Sequence, residues 1–531
     1  MILRLLALWV GLSLCLPSAQ AVELPWTAVE FFNLTGGLND GADPTAIAPN
    51  EASDLQNVVL NTSGGIEKRS GFSNINGTVL GATATLTGLT FYRQSDGDRF
   101  LVGLVSNGAT DTIQKMDYAG SSGPDGTWDN VTGSLSLAFA DDELADFVTA
   151  EDILYAAYGD GTRSLLKWTG TGNASELTSL PDATMAEFHK RILWLAGRSD
   201  ARSRVDFSNL DEPETFTSTD FLLVETDDGQ NITGLKSALD CLYVFKTESI
   251  WRICGADRDN LYLEQMVRGI GAAGNQSIAL INNQFLFMTS QGDVALYDGG
   301  LTVQILSAKI EGTLSGMNMD RFDDAVGLAF DDGTGDEDYY LALSASGSST
   351  NNRLLVFDTR WKAWTKFTGL AVNAMTSYEI GTSQRAIAFA DYLGQANRYP
   401  TTDADDGAAI DAYYQSGHLQ LGVPQLKVFR DTQVILRQEG TTYNVTFEYR
   451  IDFEGAGTST SLSLAGTGAL WDTAVWDAAS YADIATSTRR IEVNKEGDFF
   501  LWRIANANAS QPFLLRGVRV WVEPTGRISG D

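Results

Sequence analysis

Seven short apolar strands recur along the middle of this chain, beginning at Phe100, Ile153, Ile192, Leu242, Phe285, Tyr340 and Ile387. The steps between them are 53, 39, 50, 43, 55 and 47 residues. Several are followed by a second apolar run able to pair with the first, as in "LLKWTG", "SIWRICG", "VALYDGG" and "RLLVFDTRWKAW". A four-stranded propeller blade takes roughly 40–50 residues, and blades stack radially so that only short edges stay exposed. The spacing therefore predicts an all-β chain with a β-propeller of six or seven irregular blades over residues 80–400. Helical periodicity is scarce, and 52 glycines against 11 prolines suit a protein of many tight turns.

The flanks read differently. Residues 1–21 carry Arg4, an apolar run from Leu5 to Leu16 and a small-residue end at Ala19-Gln20-Ala21, the pattern of an export signal cleaved before Val22. Residues 22–79 read as an N-terminal segment with one short helix, "NEASDLQNVVL", capped by Asn50, and a hairpin. Residues 401–413 form a polar linker. In residues 414–531, "YNVTFEYRI" places Tyr443, Val445, Phe447, Tyr449 and Ile451 on one face, and Val518, Val520 and Val522 do the same. Strict alternation marks half-buried antiparallel strands, so this region is expected to be a β-sandwich-like domain.

The chain holds 37 basic and 68 acidic residues, a net charge of −31. Such a surface repels nucleic-acid backbone unless a basic patch is segregated, and no basic run occurs. Two histidines, His189 and His418, and the absence of G-x-S-x-G give no support to a Ser-His-Asp hydrolase. The single near-match to a sialidase Asp-box, at Asp125–Trp128, has the wrong spacing, and no P-loop fingerprint appears. The acidic loop with Asp331, Asp332, Asp336 and Asp338, and "DADDG" at 403–407, lack the order of a calcium loop and read as hairpin tips. Neither a catalytic group nor a metal or other cofactor is expected. Trp251, Trp361, Trp364, Trp471, Trp476, Trp502 and Trp521 read as core rather than as a carbohydrate platform.

Beyond the signal only Cys241 and Cys254 remain, in "CLYVFKTESIWRIC". A turn centred on Thr247-Glu248 sets them opposite each other, so they are either a cross-strand disulfide or two buried thiols.

Residues 32–72, "FNLTGGLNDGADPTAIAPNEASDLQNVVLNTSGGIEKRSGF", carry a resemblance. Asn33, Gly36, Gly37, Asn57, the Gly64-Gly65 turn, Lys68, Arg69 and Gly71 resemble the opening of the tail nozzle, or tail tubular protein B, of short-tailed bacteriophages. The packaged-DNA stabilisation proteins are similar. "FHKRILWLAGRSDARSRVDFSNLDEPETF" and the blade strands extend the likeness over most of residues 30–400. It implies a structural virion protein of the tail, without enzymatic activity. The implied assembly is a homohexameric ring that meets other tail and adaptor proteins and contacts the host envelope. Viral DNA would pass its lumen without sequence-specific contacts; an acidic lumen would let it slide.

Two readings from other classes compete: an exported propeller at the periplasm or cell surface that binds or hydrolyses glycans, and a periplasmic scaffold for other proteins. In either case "GGIEKRSGF" poses a question. Lys68 and Arg69 are adjacent, and strand alternation sends them to opposite faces, so they cannot cradle one phosphate together. An architectural role, with pairing to acidic neighbours, is expected.

Overall fold

The structure, a computed structural model, describes residues 26–525 except 82, 109, 119, 121–122, 332–334, 382–383, 423–424, 440–441 and 466–485. The expected export signal lies outside the described residues, as do Asp332, Trp471 and Trp476.

Each of the seven recurring apolar strands is the second strand of a four-stranded antiparallel sheet, and the seven sheets are the blades of a propeller. The second strand is packed on both faces by neighbouring blades, which is why it reads as a continuous apolar run rather than an alternating one. Ile192–Ala196 is the clearest case, with all five residues buried. In the second to fifth blades the first hairpin turns on two residues of positive φ: Glu151-Asp152, Lys190-Arg191, Leu239-Asp240 and Asn282-Asn283. Those are the dihedrals of turns whose twist matches the flanking strands.

Chain closure falls to a short polar segment. Ala374–Ile380, Gln384–Ala390 and Ala396–Tyr399 supply three strands of the seventh blade, and Ser73–Asn74 from the N-terminal side supplies the outermost. Asn76 secures the splice: its Oδ1 accepts from Ala396 N at 2.7 Å and its Nδ2 donates to Gly394 O at 3.2 Å. The first strand of the seventh blade, Ala374–Ile380, packs against that of the first, Thr85–Arg93, closing the ring.

The second body is a sandwich of two six-stranded sheets. One contains Thr486–Gly497, Lys427–Arg437, Leu514–Pro524, Ile66–Lys68 and Val58–Leu60, with Thr27–Phe31 paired to Leu514–Pro524. The other contains Gly37–Leu38, Glu51–Gln56, Ala412–Ser416, Phe500–Asn506, Asn444–Ile451 and Thr458–Ser463. Val445, Phe447, Tyr449, Ile451, Val518, Val520 and Val522 are buried between the sheets, on the faces their alternation assigns.

Three expectations are corrected. The segment at 50–60 is not a helix: Glu51–Gln56 and Val58–Leu60 are strands. Asn57, at φ 54°, breaks the chain between them, and the β-branched Val58 and Val59 fit the sheet. Nor do the described residues 26–79 of the expected N-terminal segment stand apart, since their strands complete both sandwich sheets and the seventh blade. Likewise Ala412 and Tyr413, at the end of the expected linker, already lie in a strand.

The apolar core of the sandwich continues into the space between the fifth and sixth blades. Leu286, Met288 and Val294 of the fifth and Leu341, Leu355 and Trp364 of the sixth share one cluster with Phe429, Phe447 and Trp502. Trp364 and Trp502 are fully buried, Trp251 is buried between the third and fourth blades, and Trp361 packs on the shared cluster. Trp521 departs from expectation, because it faces outward from its sheet while Val520 and Val522 face in.

Candidate functional site

The residues that carry the resemblance converge on the joint between propeller and sandwich. Val58–Leu60 and Ile66–Lys68 form an antiparallel hairpin, turned by Gly64-Gly65, that ends beside Ala363–Thr368, the outermost strand of the sixth blade. Lys68 and Arg69 leave this hairpin toward different partners, and both side chains are buried.

Arg69 has five N–H groups, and each has an acceptor. Nε donates to Asn57 Oδ1 (2.9 Å), and Nη1 to Ser70 O (2.9 Å) and Asp405 Oδ1 (2.8 Å). Nη2 donates to Thr368 O (2.8 Å) and Asp405 Oδ2 (2.6 Å). The guanidinium thus ties the hairpin, the sixth blade and the 401–413 segment in one fork, the geometry for which arginine is suited. Its charge is buried, and a buried charge is tolerated only when paired and fully hydrogen-bonded, as here.

Asn57 is the second hub. Its Oδ1 accepts from Arg69 Nε and Thr368 N, and its Nδ2 donates to Thr368 Oγ1 (3.0 Å) and Asp411 O (2.8 Å). Its own N–H reaches Lys366 O at 2.8 Å, so both its backbone and side chain hold the blade edge.

Lys68 turns the other way. Nζ donates to Asn506 Oδ1, at the end of Phe500–Asn506, and to Asn508 O in the loop that follows, both at 2.8 Å. Burial pushes its pKa down to about 8, against the opposing pull of Asp403.

The motif glycines and Asn33 complete the joint. Gly71 runs so close to the 401–413 segment that a Cβ on it would lie 2.0 Å from Ala404 O. Gly37, at φ +69°, lies against the backbone of Trp364. Gly36 abuts Asn50, and Gly65 abuts Leu515 O. Asn33 Oδ1 accepts from the N–H and hydroxyl of Thr35, fixing the turn before Gly36. Thr368, Asn506 and Asn508 are partners that no sequence pattern marks, whereas Asp405 lies in the acidic stretch "DADDG".

A groove of about 520 Å³ opens beside the joint, lined by Lys68, Glu67, Arg437, Asp336, Asp338 and Asp358, among others. Its acids are held in place by the fold. Asp336 pairs with Arg360 at 2.5 Å, Asp338 accepts from Thr359 N, and Glu67 pairs with Arg437. Asp358 accepts from Trp361 N while burial pushes its pKa up. Among the described residues no group of three or more His, Cys, Asp or Glu side chains is placed to hold a metal ion. Cys241 and Cys254 face each other across the fourth blade and are joined by a disulfide, with Cα atoms 4.7 Å apart. His189 is remote in sequence from His418 and contacts Ser237 Oγ at 2.6 Å, whereas His418 packs on Phe453.

The propeller axis carries one further polar cluster. Glu187, on the first strand of the third blade, sits near Lys236 of the fourth and Asp146 of the second, and burial pushes its pKa up to about 7. Asp146 accepts from Ala186 N at 3.0 Å.

No protein-family model matches the chain, and no curated protein matches it in sequence. Among solved structures it is similar to the WD40 domain of Neurospora crassa Pan2, with 9% identity and a TM-score of 0.35 over 61% of this chain and 98% of that one. It is similar to BBS1N in complex with ARL6DN, with 11% identity and a TM-score of 0.39 over 64% and 99% of the two chains. A third is the six-bladed fungal lectin of Aleuria aurantia, with 12% identity and a TM-score of 0.29 over 56% and 97%. Likeness at this level says nothing about activity.

Proposed function

We propose that the chain is a structural protein of a short bacteriophage tail, a subunit of the ring-shaped nozzle through which DNA is retained and ejected. The observation that carries this reading is the role of the motif residues. Asn57, Arg69 and Gly71, on which the resemblance rests, fasten the sandwich hairpin to the sixth blade and to the 401–413 segment, Lys68 ties one sandwich sheet to the other, and all four are consumed in doing so. A part whose shared residues maintain rigidity suits a load-bearing assembly. Closed cyclic rings are the usual way to build a pore from one chain, and an acidic wall would let DNA pass without adhering. The partners are further copies of the chain, neighbouring tail proteins and the passing DNA.

The disulfide supports a second reading, an exported propeller that binds glycans or scaffolds other proteins, because such bonds persist in oxidising compartments. Electron microscopy of the purified chain separates the two. Class averages of a closed ring with a central pore support the nozzle; a monodisperse single propeller that binds a glycan array overturns it.

A further inference from the structure

Among the described residues three lysines are buried: Lys68, Lys246 and Lys427. Lys246 meets Asp228 at 2.6 Å and Lys427 meets Asp498 at 3.2 Å, the pairing that a buried charge needs. Lys68 differs. Its Nζ pairs with no carboxylate of the described residues, and its acceptors are two uncharged amide oxygens, Asn506 Oδ1 and Asn508 O.

The Lys68–Asn506 contact spans the sandwich. Lys68 ends Ile66–Lys68 in one sheet, and Asn506 ends Phe500–Asn506 in the other, 438 positions away. Lys68 is 4% exposed and Asn506 3%, so water is largely kept from both. The carboxamide is also held from its other end, where Nδ2 donates to Asn444 O at 2.7 Å. Burial, with Arg69 acting in the same direction, brings the Lys68 pKa to about 8 against the pull of Asp403, Asp405 and Asp411. At neutral pH about a tenth of this amine is therefore uncharged and nucleophilic.

We propose that Lys68 and Asn506 form an intramolecular isopeptide bond, a covalent staple between the two sheets of the sandwich. The uncharged Nζ attacks Asn506 Cγ. The N–Cγ bond forms, the Cγ–Nδ2 bond breaks, and Nδ2 leaves as ammonia with a proton from the attacking nitrogen. Asp403 lines the same groove as Lys68 and is the carboxylate that acts on it most strongly. It is the group to take the ammonium proton and pass it to the departing nitrogen. One ammonium is consumed and one released, so the step balances without an oxidant or a co-reactant. Holding amine and carboxamide in contact replaces a bimolecular encounter, and the dry site suppresses competing hydrolysis. Unlike the Cys241–Cys254 bond, an amide staple persists in a reducing compartment. It would serve a load-bearing tail part and an exported propeller alike.

The test is peptide mass spectrometry of the full chain, digested with trypsin as purified and after incubation at about pH 8, where about half of the amine is neutral. The expected product is peptide 504–516, which holds Asn506, joined to the peptide that ends at Arg69, with cleavage after Lys68 blocked. Its mass should fall short of the two peptides' sum by one ammonia, about 17 Da. Lys68→Arg keeps the charge and removes the nucleophile, so the joined product should vanish whether or not that variant folds. A wild type that melts cooperatively and still yields both peptides unjoined after the incubation overturns the proposal. A joined product that persists in Lys68→Arg involves another lysine and overturns it too.

Discussion

Arg69 and Asp405, 336 positions apart, meet in a two-pronged ion pair with contacts of 2.8 and 2.6 Å and almost no solvent access. Through it the chain's N-terminal hairpin grips the segment that leads from propeller to sandwich. Replacing one partner of such a pair leaves a charge buried without compensation, at a cost of about 3–5 kcal/mol. Arg69→Met is therefore expected to lower unfolding stability by about that amount, and Arg69→Lys by nearly as much, because an ammonium cannot reproduce the fork. Denaturant melts of Arg69→Met, Asp405→Asn and the double variant check this: the double should cost clearly less than the sum of the singles.

Gly71→Ala is expected to cost about 2 kcal/mol or more, since the new methyl would drive into the Ala404 backbone. Gly77→Ala provides the contrast: nothing lies within 4 Å of its Cβ position, so the melt should move little. Equal effects at the two sites would show that the joint is looser than described.

Closure of the propeller depends on Asn76. Its replacement by alanine strands the buried N–H of Ala396, at a cost of about 1–3 kcal/mol. Hydrogen exchange should show faster opening at Ala396–Tyr399 than in the second blade, whose strands are contiguous in sequence.

Glu187 sets a pH dependence. Its folded pKa, about 7, lies above the ordinary glutamate value, so the folded state holds its proton more tightly than the unfolded chain. Its contribution is favourable at acidic pH and is lost as pH rises through about 7. Glu187→Gln should therefore match the wild type near about pH 5 and exceed it in melting temperature near about pH 8. The groups facing Glu187, Lys236 and Asp146, stay in place in that variant. A constant difference across the range would contradict the assignment.

What the sequence made legible follows from local physics. The second strand of each blade is buried on both sides, so it announces itself as an apolar run, and seven such runs gave the repeat. The alternation at Tyr443–Ile451 and Val518–Val522 reports one buried face and is equally local. The N-terminal strands were misread because Leu55, Val58 and Val59 suit a helical face as well as a strand. The antiparallel partner of Glu51–Gln56, Ala412–Ser416, lies some 360 positions away, as in the pairing of Asp54 with Gln415. Ser73–Asn74 is two polar residues long and carries no pattern of its own. Within "GGIEKRSGF" the opposite directions of Lys68 and Arg69 were legible from alternation. Their burial was not, because it depends on Asp405, Thr368 and Asn506, contributed by three distant stretches of chain.

The central claim is that the chain builds a ring. Native mass spectrometry of the purified protein tests it most directly: the account predicts a single dominant species of about six times the 57.4 kDa chain mass. A single-chain mass at every concentration examined would contradict it.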